Sequence, residues 1–418
     1  MYLSSGRVAD AASGVDRPPR PRRGSRRRAL RLVAPNVVAL GAVSLITDVS
    51  SEMVTAVLPL YLVAGLGLSP LAFGFLDGLY GGATALVRLV GGHAADRRSR
   101  HKLVAGTGYA LSALCKPALM LAASVPAVAA VLVADRAGKG VRTAPRDALI
   151  SLSSPPGAQG RAFGVHRAMD TTGALLGPLA AFGVLAAAHQ EYDPVFVVSF
   201  CVAVLGVLVL ALFVRDREGA TGGTVRATLA VLRRAEFARV CAGAVLLGAV
   251  TVSDSFLYLL LQRFTDLPVR YFPLLPVGTA ATYLLLAVPL GLAADRAGRR
   301  RVFLAGHAAL LAAYAVLLSP LNGMVLVACC LALHGAFYAA TDGVLMALAG
   351  PMLPEGTRGG GLAVLQTGQA MARFAASLAF GAAWTWWGPR TALWAAALLL
   401  TAAGAGAAAL LGTRKETA

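Results

Sequence analysis

Charge is the scarcest property of this chain. Asp, Glu, Lys and Arg make up 14% of its 418 residues, and acids are the scarcer sign, 20 against 38 basic residues. Soluble domains carry roughly a quarter charged residues, so this composition excludes an ordinary water-facing surface. Cysteine is also sparse. Cys115, Cys201, Cys241, Cys329 and Cys330 all fall in apolar stretches without C-x-x-C spacing, which excludes a zinc module and a disulfide scaffold. There is no phosphate-binding P-loop, no Gly-x-Ser-x-Gly elbow and no His-Glu-x-x-His helix. Direct ATP drive and hydrolytic enzymes are thereby set aside, and no cofactor or metal is expected.

What the chain has is apolar length, with 57% of its residues hydrophobic. Twelve apolar runs lie near the ~20 residues that cross a bilayer, at ~35–64, ~71–95, ~103–123, ~126–149, ~160–188 and ~194–214 in the first half. The second half has runs at ~237–262, ~271–294, ~302–319, ~323–349, ~359–387 and ~391–411. The expected organisation is a basic tail over 1–33, a six-helix bundle over 34–214, a linker over 215–236, a second bundle over 237–411 and a short tail over 412–418. A signal peptide is the competing reading of the start, but no small-residue cleavage site follows, and the run continues through Asp48 and Glu52 to Leu62.

The net charge of +18 is explained by where the arginines sit. The tail carries Arg17, Arg20, Arg22, Arg23, Arg26, Arg27, Arg28 and Arg31. Loops after the even-numbered spans hold Arg97, Arg100, Lys102, Arg161, Arg217, Arg233, Arg234, Arg296, Arg299, Arg300 and Arg358, whereas the alternate loops hold Arg263, Arg270 and Arg390. Basic loops stay in the cytoplasm, so both termini are expected there, in an inner-membrane protein that binds lipid rather than nucleic acid and acts as a monomer. Trp384, Trp386 and Trp387 cluster where the eleventh span should meet the outer interface.

Two segments repeat at a fixed offset. Gly92-His-Ala-Ala-Asp96-Arg97-Arg-Ser99-Arg100 is echoed by Gly291-Leu-Ala-Ala-Asp295-Arg296-Ala-Gly298-Arg299, and Gly157 and Gly160 by Gly356 and Gly359. Each copy of the first is a charged hinge between two apolar runs, the mark of duplicated helical halves.

Twelve spans in two halves, with Gly-x-x-x-Asp-Arg-x-x-Arg after the second and eighth, resemble the major facilitator superfamily over about residues 34–411. The resemblance implies an all-α membrane fold of two pseudo-symmetric six-helix bundles around a central cavity that opens alternately to either side. It assigns Asp96, Arg97 and Arg100, and likewise Asp295, Arg296 and Arg299, to latches between the halves. Ser99 stands where the family usually has glycine; Gly298 keeps the pattern. Arg136-Ala137-Gly138-Lys139-Gly140 resembles the fourth-span motif whose arginine assists proton transfer, made more basic here by Lys139 and Arg142. Gly164, Gly173, Gly177 and Pro178 resemble the fifth-span motif of antiporters, with its closing pair partly kept as Ala181 and Gly183. Thr47 to Met53 and Asp135 to Asp147 look like a prokaryotic subgroup of these carriers.

An ionisable group at the bilayer centre costs at least about 2.5–3.5 kcal/mol, so those inside spans are functional candidates. Asp48 and Glu52 are one turn apart and, with Arg136, are the expected proton-coupling residues. Asp77, Arg88, Lys116, Lys139, Arg142, Arg167, Asp170, Asp254 and Asp342 are the candidates to meet cargo. Asp135, Lys139, Arg142 and Arg146 form one stripe on the fourth span. Cys330 and His334 are one turn apart, but isolated groups of this kind on apolar helices are usually packing residues rather than metal ligands. The expected function is proton-coupled efflux of a small organic molecule. The alternatives are an anion carrier using Lys139, Arg136, Lys116 or Arg167 as a clamp, a metal-ion exporter, and a non-transporting membrane sensor.

Overall fold

The computed structural model describes residues 34–95, 101–154, 159–216, 232, 234–353 and 358–412, excluding the side chains of 84–95, 144, 159–160 and 358–360. The basic tail, most of the linker, and Asp96, Arg97 and Arg100 of the first hinge therefore lie outside the described residues.

Among the described residues there are thirteen α-helices and no strand. The first half holds α1 (Pro35–Leu60, continued by a π-helical turn Tyr61–Gly65), α2 (Pro70–Ala95), α3 (His101–Leu121), α4 (Val125–Leu152), α5 (Gln159–Ala187) and α6 (Asp193–Phe213). The second holds α7 (Ala235–Gly248), α8 (Asp254–Thr265), α9 (Leu274–Ala297), α10 (Arg299–Leu318), α11 (Gly323–Ala349), α12 (Arg358–Trp387) and α13 (Pro389–Leu411). Proline opens α1, α4, α6 and α13, where its missing N–H is an orphan donor in any case. Gly298 alone joins α9 to α10, at φ +101°, a backbone region that side chains other than glycine's resist.

Eight described helices are individually long and apolar enough to cross a bilayer. Their outward faces are greasy: Leu212, Leu285 and Leu398 are 74%, 76% and 67% exposed. Water would penalise such surfaces, and lipid does not. Trp386 and Trp387 are exposed likewise, whereas Trp384 is buried against Phe256 and Phe380.

The seventh apolar run, expected as one span, is two helices. Between α7 and α8 the chain leaves helical geometry over residues 249–253. The freed Val252 N–H donates to the Tyr314 hydroxyl (2.9 Å), the Thr251 hydroxyl donates to the Leu247 carbonyl (2.8 Å), and Ser253 caps α8 through the Phe256 N–H. Irregular backbone at membrane depth persists only when its polar groups are satisfied in this way.

In the first half α1 lies along α5 and α6, and α4 along α2 and α3; in the second, α11 lies along α9 and α10, and α7 along α12 and α13. The α1–α5 seam is close because Gly173 and Gly177 face the backbone of α1 at Leu45 and Val49, leaving no room for a Cβ. Between halves, α2 and α12 run antiparallel, with Gly74 facing Ser377 and Gly381 facing Pro70. Among the described residues, contacts between the halves gather at the end remote from Pro35 and Leu411. There Phe73, Phe256 and Phe380 meet edge to face, Phe182 stacks on Tyr271, and the Leu71 N–H donates to the Thr385 hydroxyl at 3.1 Å. One apolar core joins both halves and in the second half extends as far as Leu411, while a separate core around Leu40, Tyr109 and Leu149 belongs to the first half alone.

Candidate functional site

A cavity of about 530 Å³ lies between the halves, within the range of small-molecule sites. α1 contributes Glu52 and Thr55, α2 contributes Asp77 and Tyr80, and α5 contributes Pro178. The second half supplies the α7–α8 break, His307 of α10, Tyr338 and Asp342 of α11, and Gln366, Gln369 and Arg373 of α12. Towards the remote end Asp77 accepts a hydrogen bond from the Ser377 hydroxyl (2.7 Å), tying the two halves beneath the aromatic cluster.

Behind the first-half wall the charges neutralise one another. Asp135 sits between Lys116 Nζ (2.8 Å) and the Arg136 guanidinium, and also accepts from the Ser112 hydroxyl. The Arg136 guanidinium lies flat on Tyr80, its Cζ 3.7 Å from the ring centre. Nearly two turns further along α4, Arg142 is 3.6 Å from Asp48 and 4.4 Å from the Tyr109 ring centre. A buried ion left without its partner is strongly destabilising, so mutual pairing is what makes so many charges tolerable here.

Asp48 and Glu52, neighbours on α1, have different surroundings. Glu52 faces the cavity; Asp48 is buried, with its carboxyl within hydrogen-bonding reach of Asp170 on α5. Asp170 is itself 3.8 Å from Arg146, which also pairs with Asp147 at 2.9 Å. The second carboxyl beside Asp48 is thus Asp170, which proximity along the chain could not indicate. Arg167 is 3.9 Å from Asp170, with its side chain 81% exposed, and it is not among the residues that line the cavity. Lys139 is half-buried among Arg136, Glu52, Asp48 and Arg142.

The second-half wall is built from aromatic and hydroxyl groups around two acids, Asp254 and Asp342. Asp254, first residue of α8, accepts from the Tyr338 hydroxyl on both oxygens (2.7 Å each), and His334 Nε2 stands 3.2 Å from it. His334 Nδ1 is 3.4 Å from the Thr279 hydroxyl, which accepts from Tyr258 at 3.0 Å. His334, Tyr338 and Asp342 follow one another at four-residue intervals on α11, so they share a face. The tyrosines have no marker in the primary structure beyond that spacing from a charged residue.

In the second hinge, Asp295 pairs with Arg299 at 3.2 Å, and Arg299 also donates to the Ala347 carbonyl of α11 (2.8 Å), while Arg296 is exposed. Gly164 faces open space. The side chain of Arg88 lies outside the described residues. Of the predicted cargo residues, Asp77, Asp254 and Asp342 line the cavity; Lys116 and Arg142 are tied up behind it.

Comparison with known proteins gives a consistent picture. The family model described as Major Facilitator Superfamily matches residues 40–277 and 241–418. An uncharacterized MFS-type transporter of Methanocaldococcus jannaschii is 27% identical over 370 residues, 85% of this chain and 89% of its own length. An uncharacterized protein of Mycobacterium tuberculosis is 35% identical over 158 residues, 38% of each chain. Among solved structures, the nucleoside transporter NupG superposes with a TM-score of 0.78 at 14% identity, covering 91% of this chain and 100% of its own. A POT family transporter in complex with 5-aminolevulinic acid gives 0.75 at 13% identity, covering 90% and 96%. A bacterial homolog of the human lysosomal transporter Spinster, inward-facing and occupied, gives 0.70 at 16% identity, covering 90% and 96%.

Proposed function

The chain belongs to the major facilitator superfamily of secondary transporters, and from that premise we propose that it exports a small organic molecule in exchange for protons. The basic loops favour an inner-membrane orientation with both termini in the cytoplasm. In that orientation the packed remote end faces outward, and the cavity would load cargo from the cytoplasm, as export requires.

The observation that carries the coupling is the placement of acids on the first span. Glu52 is on the cavity wall, while Asp48, one turn away, meets both Asp170 and Arg142 behind it. Two carboxyl groups this near each other in low dielectric are costly to ionise together, which suits the pair to carrying a proton. Rocking of the halves changes the water at Glu52, and with it the cost of keeping that proton beside Arg142. Arg136, clamped by Asp135 and Tyr80, supplies a fixed positive field beside Glu52. Asp295 and Arg299 would latch the cytoplasmic side in the opposite state.

Purified protein in proteoliposomes under an imposed pH gradient tests this, with lumenal pH recorded as panels of organic cations, organic anions and metal ions are added. At least one solute is expected to move protons, and Asp48→Asn and Glu52→Gln should each abolish that movement. Undiminished proton flux in both variants would reject the coupling assignment.

A further inference from the structure

On the transport reading above, the charge of the cargo is written into the cavity wall. Carboxylates reach that wall from both halves: Glu52, Asp77, Asp254 and Asp342. Against these four, the described lining residues include one guanidinium, Arg373, and one imidazole, His307, whose Nδ1 is already 2.9 Å from the Phe303 carbonyl oxygen. This inverts the balance of a chain in which basic residues outnumber acids 38 to 20.

The inversion has a structural cause. Of the interior cations of the first half, Lys116 and Arg136 are engaged by Asp135 and Arg142 by Asp48, while Lys139 is half-buried near Glu52 and Asp48 and does not line the cavity. The ring of Tyr80, itself part of the wall, covers the Arg136 guanidinium. Arg373 acts electrostatically on Asp254, so these two oppose each other. Glu52 and Asp342 make no salt bridge among the described residues, and Asp342 is exposed within the space.

Rings complete the wall. Tyr338 is one turn from Asp342 and donates to Asp254, so its ring shares the wall with both carboxylates, and Phe337, Tyr258 and Phe374 also contribute to the lining. The π face of such rings attracts a cation and repels an anion. A wall with more negative than positive groups in low dielectric is costly until something positive enters. A proton or a cationic cargo meets that need, and each would displace the other.

We infer that the cargo is a lipophilic organic cation carrying aromatic groups, seated between Asp254 and Asp342 against Tyr338. Tetraphenylphosphonium and tetraphenylborate, ions of one shape and opposite charge, separate charge from greasiness. Their equilibrium binding to the purified full-length protein in neutral detergent needs no gradient. Saturable binding of the phosphonium is expected, at least tenfold weaker in Asp342→Asn and in Asp254→Asn and restored by Asp254→Glu, with melting curves showing each variant folded. Arg373→Gln should tighten it severalfold. Borate binding as tight as or tighter than phosphonium binding, indifference of folded Asn variants, or no binding of either ion overturns the inference. Phosphonium binding without proton-driven flux leaves it standing and removes the coupling assignment; proton-driven flux of an anion without phosphonium binding does the reverse.

Discussion

The two halves are related in sequence, yet they handle charge in opposite ways. In the first, acids and bases on α3, α4 and α5 are paired within the bundle, and Glu52 and Asp77 are its acids on the cavity wall. In the second, Arg373 is the one arginine among the described lining residues, and Asp254 and Asp342 present themselves to the cavity amid tyrosines. Duplication thus supplied a common frame, and the lobes diverged into a stapled electrostatic block and an open aromatic wall. Most charge inside the first is paired behind the wall; the acids of the second stand on the wall itself.

The largest effect that would break this contrast is expected at Asp135. Asp135→Ala strands Lys116 and Arg136 in the interior, with an expected loss of about 3–5 kcal/mol, read as a fall in melting temperature in detergent. A variant as stable as the parent would show that the first-half pairs are ornamental. Next comes the α1–α5 seam, where Gly177→Leu drives a side chain into the α1 backbone. Overpacking there should cost about 3 kcal/mol and suppress transport, measured by melting and by proteoliposome flux. A smaller loss, about 1–3 kcal/mol, is expected from Tyr314→Phe, which leaves the Val252 N–H of the α7–α8 break without its acceptor. Faster hydrogen exchange at Val252 would locate the damage. The smallest effect on stability, within about 0.5 kcal/mol, is expected for Asp342→Asn, because that carboxylate makes no salt bridge among the described residues. If it melts like Asp135→Ala, the two halves do not differ in the way described.

Much of the frame is legible in the chain itself. Apolar length locates the spans, since crossing lipid imposes a minimum run. The Gly291–Arg299 hinge and the Gly173–Gly177 pair announce a turn and a close helix approach, because few other residues permit either. The break after α7 escapes because Val250 and Val252 are as apolar as the helices on either side; hydropathy registers transfer into lipid, not backbone geometry. The partner of Asp48 escapes for a different reason: Asp170 reaches it only through the packing of α5 on α1. Spacing placed Asp48 and Glu52 on one side of a helix, but one turn of rise and a small angular offset separate a wetted wall from a sealed interior. Tyr80 and Tyr338, which set the character of that wall, look like any other membrane tyrosines until the fold assembles them.

The one-residue link at Gly298 has a mechanical corollary. With no slack between them, α9 and α10 behave as a bell crank: torque on one arm reaches the other undamped, and the positive φ of the pivot fixes the angle at which it is delivered. Arg299, at the elbow, also grips the carbonyl at Ala347, so α11 is geared to the same crank. A nudge on the helix that bears Tyr338 and Asp342 is thereby relayed, with little lost motion, to the end of the bundle that holds Pro35 and Leu411.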